Sequence, residues 1–122
     1  MTTKSRKAKG RSLQQLVRSE LLKFLPDLAE NDVRSTSMGA QGVDIQLSEH
    51  ALRVFPFSLE CKARATFDTL YGFMHQATGN SVKNTVPGVV LKANRQAPLI
   101  VLNLTDFLDI YSQLLYEAKK HE

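Results

Sequence analysis

The chain has 122 residues, 43% of them hydrophobic and 23% charged, with one cysteine, three histidines and a net charge of +4. That length gives one domain with a real core, and the composition is ordinary for a soluble globular protein. A single cysteine excludes an internal disulfide, so few soft ligands argue against zinc, and no apolar run approaches the roughly 20 residues of a membrane span. The opening MTTKSRKAKGRS lacks the apolar stretch of a secretory signal, so residence in the cytoplasm is expected. Seven of the sixteen Lys and Arg residues fall within the first 23 positions, against Glu20 alone. This basic leader suits a solvated tail, and it equally suits neutralisation of nucleic-acid phosphates.

In chain order, residues 1–10 read as a flexible basic arm ending at Gly10, and residues 11–122 as one domain. Ser12 is placed to cap a helix running to about Leu25, with Leu13, Leu16, Val17, Leu21 and Phe24 on its apolar side and Pro26 as its stop. The polar, glycine-bearing run at 30–42 reads as mostly loop. VDIQL (43–47) and VFPFSLECK (54–62) alternate as strands, joined by SEHALR as a hairpin loop; Pro56 implies a bulge or irregular start. A helix is expected over 66–79, with Phe67, Leu70, Tyr71, Met74 and Ala77 at helical spacing. Strands GVVLK (88–92) and PLIVLN (98–103) follow, parted by the basic turn ANRQA. The last segment, LTDFLDIYSQLLYEAKK, reads as an amphipathic helix capped by Thr105. The expected architecture is α/β: a small mixed central β-sheet flanked by helices.

Alternation along the strands locates the chemistry. Phe55, Phe57, Leu59 and Cys61 share one face of the second strand, while Ser58, Glu60 and Lys62 share the other. Asp44 and Gln46 oppose the apolar Val43, Ile45 and Leu47 in the first strand. If the two strands pair and pack their apolar faces on one helix layer, Asp44, Glu60 and Lys62 lie together. Two carboxylates can hold a hard divalent cation such as Mg2+ or Mn2+ through oxygen, and that cation activates water against a phosphodiester. The lysine can hold that water and offset charge in the transition state. The bare pattern is common, and an exposed hairpin with an ordinary ion pair is its plain alternative.

The segments KGRSLQQLV (9–17), DVRSTSMGAQGVDIQLS (32–48), FPFSLECK (55–62), HQA (75–77) and PGVVLKANRQAPLIVL (87–102) resemble the PD-(D/E)xK nuclease superfamily. More narrowly, they are similar to small phage endonucleases of the archaeal Holliday-junction-resolvase type. The resemblance implies a restriction-endonuclease-like core, with Asp44 and Glu60 as metal ligands, the backbone carbonyl of Cys61 as a third, and Lys62 as the catalytic lysine. Resolvases usually carry a helical glutamate where this chain has Gln14, an amide able to hold a metal-bound water but not to add a third negative charge. The resemblance also implies a homodimer acting on branched DNA, and a phage origin that would place the protein in the host cytoplasm.

Other residues have two readings each. Arg34, Ser35, Ser37 and Gly39 precede Asp44 and suit phosphate contacts, or form a polar loop. Lys9, Arg11 and Arg18 would grip flanking backbone or simply form a basic helix face. Lys92 and Arg95 make either a phosphate clamp or a solvated turn. Gln76 points towards the site or lies exposed on its helix. His75 and His50 are read as surface and structural residues, and Cys61 as an inert buried thiol. The apolar arc of the last helix (Phe107, Leu108, Ile110, Tyr111, Leu114 and Leu115) is divided between core packing and a symmetric dimer seam. The function expected is a metal-dependent endonuclease for branched DNA, with two alternatives: a nuclease for flaps, nicks or linear duplex, and a non-catalytic DNA-binding module.

Overall fold

A computed structural model describes residues 3–36, 41–65 and 69–120, apart from the side chains of Thr3, Leu104, Leu108 and Leu115. The first helix, α1, spans Thr3–Phe24. Residues 3–10, read as a flexible arm, therefore extend the helix, and Ser12 lies inside it rather than capping it. Gly10 costs only about 1 kcal/mol relative to Ala in a helix interior, and the Lys, Arg and Ala around it are good helix formers. Leu13 and Val17 are buried, with Leu16 and Leu21 packed beside them. Phe24, expected on the same side, is left exposed at the helix end.

Two strands then form a small antiparallel sheet: β1 (Val33–Ser35) and β2 (Ile45–Leu47), with Val33 opposite Leu47 and Ser35 opposite Ile45. The run 30–42, expected as mostly loop, thus contains a short 3-10 turn at Glu30–Asp32 and a strand. SEHALR is not a hairpin loop. It forms helix α2 (Glu49–Val54), because the Ser48 hydroxyl caps it by accepting from the Ala51 N–H and itself donates to Asp32 at 2.6 Å. This helix parts β2 from β3 (Phe57–Arg64), so the two strands do not pair as a hairpin.

The main sheet has the order β3-β4-β5, with β4 spanning Val86–Ala93 and β5 Leu99–Leu102. Strands β3 and β4 are parallel and joined by helix α3 (Leu70–Asn80); β4 and β5 are antiparallel. The chain is therefore mixed α/β, as expected. Strand β3 starts directly after Pro56, whose carbonyl accepts from the Val86 N–H at 2.8 Å. One face of the sheet packs Leu59, Cys61 and Val90 against α1, β1 and β2; the other packs Val89 and Leu91 against Met74 and Ala77 of α3. Helix α3 leaves Tyr71 outside this contact, and Phe67 lies outside the described residues.

The last helix, α4 (Leu104–Lys120), begins one residue before Thr105, with the Phe107 N–H bonded to the carbonyl of Asn103, so the helix starts from Asn103. Phe107, Tyr111 and Leu114 are exposed, and the first two stack with ring centroids 6.2 Å apart. Core packing thus does not account for three of the four described residues of that apolar arc, Ile110 being half-buried. Among the described residues, no helix is long and apolar enough to cross a membrane.

Candidate active site

Among the described residues, strand β3 bonds to β4 along one edge and to no strand along the other, open edge. Asp44, immediately before β2, docks on that open edge: its Oδ2 accepts the Cys61 N–H at 2.8 Å. Gly42, at φ 95°, turns the chain just before it, a backbone that side-chain-bearing residues rarely adopt. Thr36 closes the same loop, donating its N–H to the Asp44 carbonyl at 2.8 Å and its hydroxyl to the Val43 carbonyl at 2.6 Å. Asp44, Glu60 and Lys62 do come together, but the route differs from the expected hairpin. The carboxylate reaches across a strand edge instead of facing its neighbour from a paired strand.

The alternation expected for β3 holds. Leu59 and Cys61 enter the α1-side core, while Ser58, Glu60 and Lys62 face α3. Glu60 is only 2% exposed, and its Oε1 accepts from Asn80 Nδ2 at 3.3 Å. Burial, and then the neighbouring charge of Asp44, push its pKa up to about 7, outweighing the Asn80 bond and the attraction of Lys62. Burial beside the same two carboxylates raises the Cys61 thiol to about 12, so the inert-thiol reading stands. Lys62 Nζ lies 5.4 Å from the centroid of the Phe73 ring on α3, and the Arg64 guanidinium lies 5.9 Å from the same ring. Both cations thus meet the same ring and line the cavity that the carboxylates also line.

These groups line one cavity of about 350 Å3, together with Arg6, Gly10, Gln14, Ala63 and Gln76. Gln14 is 3% exposed, so its amide is a built part of the site. Arg6, Gly10 and Gln14 follow one another at four-residue spacing, which sets them on a single stripe of α1. Gln76, read two ways from the sequence, reaches the cavity from α3. Arg6, Arg64, Phe73 and Asn80 are additions to the residues expected from the sequence. Arg6 belongs to the stretch read as an arm, where the basic run before Gly10 is the available signal. Arg64 ends β3 two residues past Lys62, where continued alternation puts it on the same face. Phe73 and Asn80 reach the site only through tertiary packing.

The donor set fits a hard divalent cation. Two adjacent carboxylates, one of them buried, repel each other unless a proton or a cation lies between them. All the candidate donors are oxygens, as Mg2+ or Mn2+ prefers. Among the described residues no group of three or more His, Cys, Asp and Glu side chains is arranged to hold a metal ion. A cation held by Asp44 and Glu60 would therefore complete its shell from water and the backbone. The N–H and C=O of one strand residue face the same edge, so the Cys61 carbonyl is directed towards Asp44.

The remaining expected DNA contacts divide. Lys9, Lys92 and Arg95 line a second cavity beside α1. Arg11 and Arg34 are exposed. Arg18 is instead a structural tie, donating from Nε to the Val33 carbonyl at 2.6 Å and from Nη2 to that of Glu30 at 2.8 Å, which pins α1 to β1. Ser35 accepts from Gln15 Nε2 at 3.2 Å, which also ties β1 to α1. Ser37 and Gly39 lie outside the described residues. His75 is exposed, and His50 Nε2 lies 3.2 Å from the Asp27 carbonyl, in keeping with a structural role. Compared with known proteins, the chain matches no family model, no curated protein and no solved structure.

Proposed function

We propose that the protein is a metal-dependent, structure-specific endodeoxyribonuclease that hydrolyses phosphodiester bonds in branched DNA, most simply a Holliday-junction resolvase. The observation that carries this reading is the convergence of Asp44, Glu60 and Lys62 in one cavity that Arg6 and Arg64 also line. A divalent cation bound by the carboxylates would polarise the phosphate and lower the pKa of the attacking water. Lys62 is placed to orient that water and to offset charge developing on the phosphoryl oxygens. Arg6 and Arg64 neutralise the phosphate entering an otherwise acidic site. The attacking water gives up a proton to solvent as its oxygen bonds to phosphorus, the bond to the leaving sugar oxygen breaks, and that oxygen takes up a proton from solvent.

The exposed Phe107, Tyr111 and Leu114 of α4, with Leu99 and Ile100 on β5, the strand that precedes it in the chain, support a homodimer. Light scattering should give twice the chain mass, and a monomer at micromolar concentration would remove that element. One observation favours a second reading. Gln14 supplies no third charge, as a non-catalytic DNA-binding module would tolerate.

Cleavage of labelled four-way junction, flap, nicked and linear duplex DNA, with Mg2+ and with EDTA, separates these readings. Symmetric cuts confined to the junction, absent in EDTA and lost by about 10^3-fold or more in Asp44→Ala, are expected. Metal-dependent cutting of every substrate would leave the active site and remove junction specificity. Junction binding without cutting would leave the binding module.

A further inference from the structure

Beside the carboxylate site, flanking the other side of the stripe by which α1 meets the core, lies a larger cavity of about 600 Å3. Its polar lining is Lys9 and Ser12 from α1, Lys92 from the end of β4, and Asn94 and Arg95 from the turn into β5. No carboxylate is among the described residues that line it. Lys9 Nζ donates to Asn94 Oδ1 at 2.7 Å, tying the helix to the turn without neutralising the lysine. Three cations thus share one concave site with no countercharge, against walls that include Leu13, Leu16 and Ala63. Apolar walls and concavity strengthen the field such a group exerts on an anion.

The turn adds a second sign of commitment. Arg95 sits at φ 64°, in the left-handed region that disfavours a long side chain, within a turn closed by Gln96 N–H to the Ala93 carbonyl at 3.2 Å. Glycine or asparagine would suit that backbone better, so arginine stands there against local preference. The two cavities also meet: Ala63, one residue beyond Lys62 on β3, lines both.

We propose that this cavity is a second phosphate-binding site, which holds a backbone phosphate of the nucleic acid other than the one at the carboxylates, so that bound DNA straddles the N-terminal half of α1. That the phosphate is not the one cleaved rests on the nuclease reading; the phosphate site itself does not. Lys9, Lys92 and Arg95 are positioning residues, since they touch no reacting atom. They set where the backbone crosses the helix and hence which bond reaches Asp44 and Glu60.

The test is anisotropy of a short fluorescein-labelled duplex in EDTA, over a series of salt concentrations. It compares the wild type, a Lys92→Ala/Arg95→Ala double variant, and a Lys119→Ala/Lys120→Ala control on the far end of α4. Each phosphate contact contributes about one unit to the slope of log affinity against log salt, so the double variant should lose about two units and the control none. Arg95→Gly guards against misfolding: it should keep or raise the melting temperature while losing about one unit of slope. An unchanged slope in the double variant, or a wild type that binds no duplex, would overturn the proposal. Failure of the nuclease reading would show separately, as absent cleavage with the salt slopes still divided as expected. If cleavage occurs, the double variant should raise KM and spread the cuts over neighbouring bonds.

Discussion

The two faces of β3 share one backbone and have opposite energetics. Towards α1, Leu59 and Cys61 enter an apolar cluster with Leu13, Val17 and Val90, where burial stabilises the fold. Towards α3, the same strand buries Ser58 and Glu60. Ser58 is satisfied there, accepting from the Val82 N–H at 2.9 Å and bonding the Thr85 hydroxyl. Glu60 is not at ease: its carboxyl is held near neutrality by burial and by Asp44. One face supplies the stability that lets the other keep a self-repelling pair of acids. Such local cost is what a cation-binding or catalytic site requires.

This contrast can be broken from either side. Leu59→Ala, on the stabilising face, should cost about 2–5 kcal/mol in a denaturant titration, because α1 cannot collapse into the space left. Glu60→Gln, on the other face, should act with the opposite sign. The folded pKa of Glu60, about 7, lies above its ordinary value of 4.5, so the folded state holds the proton more tightly. Its favourable contribution is complete below the unfolded pKa and is lost as pH rises through about 7. In EDTA, the melting temperature of the wild type should therefore fall between about pH 5 and about pH 8, whereas Glu60→Gln should lack that component of the fall. A wild type that becomes more stable over that range would refute the assignment. The smallest effect is expected at Gly42→Ala. Placing a side chain at φ 95° should cost about 1–2 kcal/mol and disturb the docking of Asp44, read as lower stability together with slower cleavage.

The residues central to the site are legible because strand alternation is a local property: counting along FSLECK puts Glu60 and Lys62 on one face and Cys61 on the other. Asp44 is legible as a residue but not in its manner of arrival. The pairing of β2 with β1, in place of β3, depends on a helix that Ser48 nucleates at SEHALR, and its polar composition reads equally well as a turn. Strand β1 is hidden because three residues, Val33–Ser35, are too few to display a period. Arg6 is lost to any reading that makes Gly10 a boundary. Asn80 and Phe73 become part of the site only when the β3–α3–β4 crossover lays α3 over the strand, and sequence spacing carries no trace of that contact.

Helix α1 ends up lining both cavities, Arg6, Gly10 and Gln14 on one side and Lys9 and Ser12 on the other. An α-helix turns by about 100° per residue, so a single inserted or deleted residue between positions 6 and 14 would swing everything before it by more than a quarter turn. Arg6 would leave the carboxylates, while the fold beyond Gln14 stayed intact. In evolutionary terms this stretch acts as a ruler: it should accept many exchanges of one side chain for another, but changes in its length should be purged even where the altered protein still folds.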